Sequence, residues 1–168
     1  MNAFAKMVDG LTRVCTILAL ISMLAMMALI TGDVIMNKVA SRPIPGTIEI
    51  TSFYFMVSVV FLALPFVEKR NAHIAADVIT SRLSPAIQRV FTLCGRLLTI
   101  IFYGLLSYKT LQTAISSTEI YEEAMSNFVF YIWPSRWIVF LGFVVAVLAA
   151  LMAMFSNKTP RPTVPAGE

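Results

Sequence analysis

The chain has a single histidine, His73, in the stretch EKRNAHIAADVI at residues 68–79. Asp77 follows four positions later, so in a helix the two side chains lie on one face within hydrogen-bonding reach. A carboxylate there would orient the imidazole and raise its basicity. Catalysis also needs a nucleophile, a set of metal ligands or an oxyanion site, and the sequence offers none nearby. The pair therefore predicts a structural contact at a loop or subunit interface, and no enzyme activity.

Metal and cofactor sites are not expected either. Zinc needs three or four protein ligands, and the chain has one histidine and two distant cysteines, Cys15 and Cys94. Two histidines would be required for a bis-histidine haem. Neither cysteine belongs to a CxxC pair, so we expect two buried free thiols and no cofactor.

Transport by this chain alone would require an ionisable group inside the membrane, where such groups are costly and usually functional. Asp33, Glu49 and Glu68 all fall at the ends of apolar runs. Pro65 is too close to the end of its run to break a helix at the midplane, as coupled transporters do. The sequence thus lacks what a proton- or ion-coupled carrier needs.

The elements that position these residues are transmembrane helices. The chain has 168 residues, 58% of them hydrophobic and 13% charged, with a mean hydropathy of +0.81. A soluble domain of this size needs more polar surface, and about 20 apolar residues in a helix span a bilayer. We predict an all-α integral membrane domain over residues 1–155. Its four transmembrane helices are expected at about 14–36, 47–67, 90–115 and 137–155.

The third run is interrupted by Arg96 and Lys109, whose long side chains can reach the headgroups at either end. Lysine and arginine are enriched in cytoplasmic loops. With a cytoplasmic N-terminus that side collects nine basic residues and the other side four. The sequence therefore predicts a multi-pass protein of the bacterial inner membrane with both termini cytoplasmic. The basic residues form no stripe, which argues against nucleic acid as a partner.

The connections between the runs have their own signals. Gly46 permits a tight turn, and Thr47 is a candidate N-cap for the second helix. Glu49 falls in the first turn, where the helix dipole favours a negative charge. In a helix over residues 71–81, the apolar residues would lie on one face and the polar residues on the opposite face. This pattern predicts a short amphipathic helix in the cytoplasmic interface. The aromatic run at 128–134 is expected at the opposite interface, beneath the acidic residues 118–123. Residues 156–168 are expected to form a disordered cytoplasmic tail.

The segments RPIPGTIEI and KRNAHIAADVI carry a family resemblance. Together with the length and the four predicted spans, they resemble the small membrane subunit (Q, or DctQ-like) of tripartite ATP-independent periplasmic (TRAP) transporters. The family often has a tryptophan in helix two and a glycine before the histidine, where this chain has residues 53–55 (FYF) and Ala72. The residues that fit the family pattern are Arg42, Gly46, Glu49, Arg70, His73, Ile74 and Asp77.

The resemblance implies a non-catalytic subunit that scaffolds a large, sodium-coupled elevator subunit (DctM-like). It also implies help in docking a periplasmic substrate-binding protein (DctP-like), for uptake of an organic acid such as a C4-dicarboxylate or sugar acid. Glu119, Glu122 and Glu123 are the docking candidates, with a solvated helix face as the alternative. His73 and Asp77 would touch the large subunit or lipid headgroups. A small membrane anchor of a respiratory complex and a stand-alone small carrier remain as alternatives.

Overall fold

The computed structural model describes residues 3–69, 85–124 and 130–155. Its described part contains four helices. Helix α1 covers Ala3–Ala40, α2 covers Thr47–Lys69, α3 covers Pro85–Glu119 and α4 covers Trp133–Phe155. The predicted interfacial helix at 71–81 and the predicted tail at 156–168 lie outside the described residues.

The predicted all-helical class is confirmed for the described residues, which contain no strand. Three helices, α1, α2 and α4, are long and apolar enough to cross a membrane. Helix α3 has the length of a span, but its described residues contain no stretch as apolar as those of the other three helices. Three of the four predicted spans are thus supported by length and composition.

The helices are longer than their predicted apolar runs. Helix α1 has 38 residues, or about 57 Å at 1.5 Å per residue, against a hydrocarbon core of about 30 Å. Helix α3, with 35 residues, is nearly as long. A change from apolar to polar residues ends a membrane-embedded run, but it does not break the hydrogen bonds of a helix, so these helices continue past it.

Helix α4 is central to the packing, with α2, α3 and α1 all against it. Its buried residues are mostly small, and small residues let helices approach closely. A Cβ built on Gly142 would lie 2.5 Å from the backbone oxygen of Phe61 in α2, so α2 and α4 are nearly in backbone contact. Besides Ser135 and Gly142, the buried α4 residues are Phe143, Val145, Ala146, Ala149 and Ala150.

Helix α1 packs on the α2–α4 pair through one narrow seam. Val8, Thr12, Cys15 and Ala19 are buried, at spacings of three and four residues that place them on one face. Cys15 and Ala19 join Leu62 of α2 and residue 145 of α4 in one apolar cluster. The rest of α1 exposes large apolar side chains along its length.

Cys94 is exposed on α3, whereas Cys15 is buried. The expectation of two buried thiols is therefore wrong for Cys94. It failed because an apolar run predicts membrane depth, but which side of a helix faces its neighbours depends on tertiary packing. Both cysteines are free.

Helix α2 begins differently from the prediction. Gly46 precedes it with φ 87°, in the left-handed region that glycine adopts readily, so the predicted tight turn is confirmed. Thr47 is not the N-cap: it is the first helical residue, and its hydroxyl donates to the Ile44 carbonyl at 2.9 Å. The Thr47 hydroxyl does make a hydrogen bond at the start of the helix. It donates to a carbonyl oxygen there, whereas the prediction had it accept a backbone N–H.

Helix α2 also changes its winding. Residues Thr51–Met56 form a π-helical segment between the first turn and the α-helical part Val57–Lys69. Such wide turns are rare and often occur near functional sites. Pro65 is buried inside the later part of the helix, which continues past it without a break.

Candidate interaction surfaces

The antiparallel helices give the bundle two ends. The loop end holds the 40–47 and 119–133 connections, and the terminus end holds Ala3, Lys69, Pro85 and Phe155. At the loop end, the side chain of Asp33 turns the first connection back onto α1, because its Oδ1 accepts the backbone N–H of Ile44 at 2.6 Å. Asp33 is therefore a structural group of the turn.

Three of the family-pattern residues lie at this turn, and the two charged ones among them have different surroundings. Arg42 is exposed, and Glu49 is half-buried in the first turn of α2. The carboxylate of Glu49 is near the positive end of the helix dipole, as predicted. The guanidinium of Arg42 is available to a second protein at the loop end.

The second connection is held by an ion pair that the sequence did not reveal. Arg136 of α4 donates to both carboxylate oxygens of Glu122, with Nη2–Oε1 at 2.9 Å and Nε–Oε2 at 3.3 Å. The Ser117 hydroxyl, buried at the end of α3, also donates to Glu122. Bidentate arginine–carboxylate pairs are among the stronger and more directional contacts in proteins.

These hydrogen bonds change the acidity of the carboxyl. The Arg136 guanidinium and then the Ser117 hydroxyl stabilise the charged form of Glu122 and lower its pKa from the usual value. The side chain of Glu122 is 26% exposed. Of the three docking candidates, Glu122 thus points into the protein, and the charge of Arg136 already compensates its negative charge.

Glu119 and Glu123 are exposed, one at the end of α3 and one in the connection that follows. The backbone around Glu123 is fixed by an isolated antiparallel bridge to Tyr131. Two hydrogen bonds frame it, from Ala124 N to the Phe130 carbonyl and from Ile132 N to the Glu122 carbonyl, each 2.8 Å. The two exposed carboxylates therefore stand on a backbone with a defined shape.

The two connections meet through the π-helical segment of α2. The Tyr54 hydroxyl donates to the Tyr131 carbonyl at 2.7 Å. The rings of Tyr54 and Phe130 pack edge to face with their centroids 5.3 Å apart. At the other side, Trp137 Nε1 donates to the Thr118 hydroxyl at 3.0 Å and joins α4 to α3. Residues 130 and 131 of the second connection are therefore tied to α2, and the ends of α3 and α4 are tied to each other.

A second polar contact that the sequence did not reveal lies between α2 and α3. Glu68 is 4% exposed, and the Tyr103 hydroxyl donates to its Oε1 at 2.9 Å. Tyr103 also packs against Phe143 of α4. The sequence placed Glu68 at a helix end but gave no sign that a residue 35 positions away would reach it. This hydrogen bond links α3 directly to α2.

The outer faces of α1 and α3 are strongly apolar. Large exposed side chains recur along α1 from Val14 to Val39 and along α3 from Val90 to Tyr108. Faces of this kind need lipid or another protein around them. Within the described residues, no three histidine, cysteine, aspartate or glutamate side chains are grouped as metal ligands.

Four residues of the family pattern, Arg70, His73, Ile74 and Asp77, lie outside the described residues. The predicted hydrogen bond between His73 and Asp77 and its contacts therefore stay predictions. The same holds for the roles predicted for Arg42, Gly46 and Glu49, although the structure gives their positions.

Comparison with known families gives a match over residues 6–158. It is to the family described as "Tripartite ATP-independent periplasmic transporters, DctQ component". No curated protein and no solved structure matches the chain. The family model spans all four helices and both connections of the loop end. The chain therefore belongs to the DctQ family, the small membrane component of TRAP transporters.

Proposed function

We propose that this protein is a four-span scaffold subunit that braces the large membrane subunit of a TRAP transporter. In this role it also helps to dock the periplasmic substrate-binding protein. The observation that carries the proposal is the family match combined with the uneven packing of the bundle. Helix α4 is more buried than α1 or α2, whereas α1 and α3 leave long apolar faces for a partner or lipid.

Helix α3 is the fourth span in this proposal. Its apolar centre packs along α4, and Arg96 and Lys109 border that centre. Lys109 is exposed and donates to Gln112 on its loop-end side at 3.3 Å. A lysine can hold its charge at the headgroups while its methylene stem stays in the apolar region, so both charges are compatible with a span.

The positive-inside rule favours the terminus end on the cytoplasmic side of the bacterial inner membrane. Both chain termini then face the cytoplasm, and the loop end faces the periplasm. Glu119 and Glu123 are on the face that a soluble periplasmic protein can reach.

Bracing is the mechanical part of the role. An elevator subunit moves its transport domain across the membrane against an immobile part. That part must therefore stay rigid, and a rigid neighbouring subunit enlarges it. The near-backbone contact of Gly142 with Phe61 and the Tyr103–Glu68 hydrogen bond support a stiff bundle in this role. The proposed large subunit supplies sodium coupling and the substrate site, and the cargo is an organic acid.

Co-purification tests the scaffold proposal. The full-length protein, expressed with its genomic neighbours and extracted in mild detergent, is expected to carry a stoichiometric partner of roughly ten or more spans. A protein that purifies alone under several mild detergents, while it remains folded, would contradict the proposal.

Charge reversal tests the docking proposal separately. Glu119→Lys with Glu123→Lys is expected to reduce uptake that depends on the binding protein, without loss of the large subunit on co-purification. Lys6→Glu is the matched control, since Lys6 is exposed at the opposite end. Unchanged uptake in the double variant would rule out docking through these carboxylates.

A further inference from the structure

A cavity of about 560 Å³ opens between α1 and α2 at the terminus end. This volume is within the range of small-molecule sites, roughly 300–1,000 Å³. The proposed scaffold role does not use it. Its lining residues are Asp9, Thr12, Arg13, Thr16, Ile17, Phe66 and Lys69.

The lining changes from charged to apolar along both helices. On α1, Asp9 comes first, Arg13 lies one turn deeper and Ile17 another turn deeper, about 12 Å in all. On α2, Lys69 is outermost and Phe66 lies one turn deeper. Arg13 directly precedes the uncharged run of α1, so the cavity crosses the boundary between water and the apolar zone. A ligand that fits it must be amphiphilic.

The charges leave one cation without a counter-charge. Lys69 Nζ lies 2.9 Å from Asp9 Oδ1, an ion contact whose geometry does not make a hydrogen bond. This pair is neutral overall. Arg13 has no hydrogen-bond or ion-pair partner among residues 3–69, 85–124 and 130–155. The cavity therefore carries a net charge of about +1 and suits an anion of one charge.

A buried hydroxyl adds a hydrogen-bond donor. Thr12 is 2% exposed, and its Oγ1 has no partner within the described residues. A buried polar group without a hydrogen bond is costly. By contrast, Thr16 donates to the Thr12 carbonyl at 2.8 Å. A ligand oxygen that accepts from Thr12 would remove this cost.

We propose that the cavity between α1 and α2 binds the phosphodiester headgroup of a membrane phospholipid. The guanidinium of Arg13 holds the phosphate, the Thr12 hydroxyl donates to a phosphate oxygen, and Ile17 and Phe66 contact the start of an acyl chain. Arginine matches phosphate because its planar fork presents several N–H donors at once. The bound lipid would fill the gap between α1 and α2 and fix α1 against the bundle.

Native mass spectrometry of the delipidated complex, in which this protein is purified with its partners, tests the proposal. Dioleoyl phosphatidylglycerol is titrated into the parent complex and into complexes carrying single substitutions. Arg13→Gln is expected to weaken lipid binding about tenfold or more, as loss of one charge-assisted contact does. Arg13→Lys, which keeps the charge but lacks the planar fork, should bind with an affinity between those of the parent and Arg13→Gln. Thr12→Val, which keeps the shape but lacks the hydroxyl, should lose several-fold.

Lys6→Gln is the matched control, because it removes one exposed cation from the same end without lining the cavity. It is expected to bind as the parent does. Equal lipid affinity in the Arg13→Gln and Lys6→Gln complexes would overturn the proposal. Competition by millimolar inorganic phosphate as effective as that by lipid would also overturn it, since the site would then recognise free phosphate and not the phospholipid.

Discussion

Gly142 illustrates how much one residue decides in this bundle. Its missing side chain lets α4 approach the α2 backbone, where an added Cβ would meet the Phe61 carbonyl oxygen at 2.5 Å. Backbone atoms cannot rotate away as a flexible side chain can. The two helices must therefore separate if the position gains a methyl group.

We expect Gly142→Ala to lower the free energy of unfolding by about 1–3 kcal/mol through overpacking. The measurement is the apparent thermal midpoint of the purified protein in detergent. Gly104→Ala in α3 is the control, because nothing lies within 4 Å of a Cβ there. That control should be neutral, or gain about 0.5–1 kcal/mol from the higher helix propensity of alanine. A Gly142→Ala protein as stable as the control would contradict the close approach.

Glu122 predicts a dependence of stability on pH. Its pKa is lowered in the folded protein, mainly by Arg136, so the folded state binds its proton less readily than the unfolded state does. The stabilisation is therefore complete above the usual glutamate range and is lost as the pH falls below about 4.

We expect Glu122→Gln to be less stable than the parent at pH 7, by about 1 kcal/mol for a partly exposed pair. The difference should shrink as the pH is lowered towards about 3, because the unfolded state of the parent then takes up a proton that its folded state binds less readily. Thermal midpoints measured across this range check the trend. Glu119→Gln, which alters an exposed carboxylate, should follow the parent throughout. A constant difference between parent and Glu122→Gln would exclude this ion pair as its source.

Among the described helices, α3 packs mainly on one neighbour. It packs against α4, and the Tyr103–Glu68 hydrogen bond ties it to α2. Loss of this bond leaves a carboxylate that is 4% exposed with one partner fewer. Since unmade hydrogen bonds of buried groups cost more than made ones contribute, α3 should be the helix most sensitive to a single polar substitution.

Tyr103→Phe is expected to destabilise the protein by about 1–3 kcal/mol while preserving the aromatic packing on Phe143. Tyr121→Phe removes an equivalent hydroxyl from a residue that is 65% exposed and should have no measurable effect. The apparent thermal midpoints of both variants, measured in detergent, test whether the Tyr103 hydroxyl stabilises the protein. Equal midpoints would show that the hydroxyl of Tyr103 contributes nothing to α3 packing.

The arrangement of all four helices leads to a prediction about the membrane topology of the protein. If α3 spans the membrane, both connections of the loop end share one side. In a protein with Cys15→Ala and Cys94→Ser, single cysteines at Ser41 or Ile120 should react with a membrane-impermeant thiol reagent in intact spheroplasts. Cysteines at Lys6 or Ile87 should react only after the membrane is opened. Labelling of Ser41 and Ile120 from opposite sides would contradict a spanning α3.

Many features of this fold can be predicted from the order of the residues along the chain. Apolar runs longer than about 20 residues predict membrane helices because the bilayer core has a fixed thickness. The Gly46 turn was predictable because it needs a backbone conformation that few other residues adopt.

Other features required distances that no pattern contains. The Arg136–Glu122 pair joins residues 14 positions apart, and the Tyr103–Glu68 pair joins residues 35 apart. The apolar periodicity of these helices is weak because lipid accepts apolar side chains on every face. Hydropathy therefore could not indicate which side of α3 meets α4, and for that reason it placed Cys94 inside.

The amino-acid sequence by itself determined the all-helical membrane class, three of the spans, the turn at Gly46 and the family. Each of these depends on local composition or on a short motif. Only the tertiary structure decided that α4 is the central helix, that Glu122 is paired inward and that a partly charged cavity lies between α1 and α2. The physical reason is that bilayer thickness and backbone geometry act on consecutive residues, whereas helix facing and side-chain pairing depend on shape and charge brought together from distant parts of the chain.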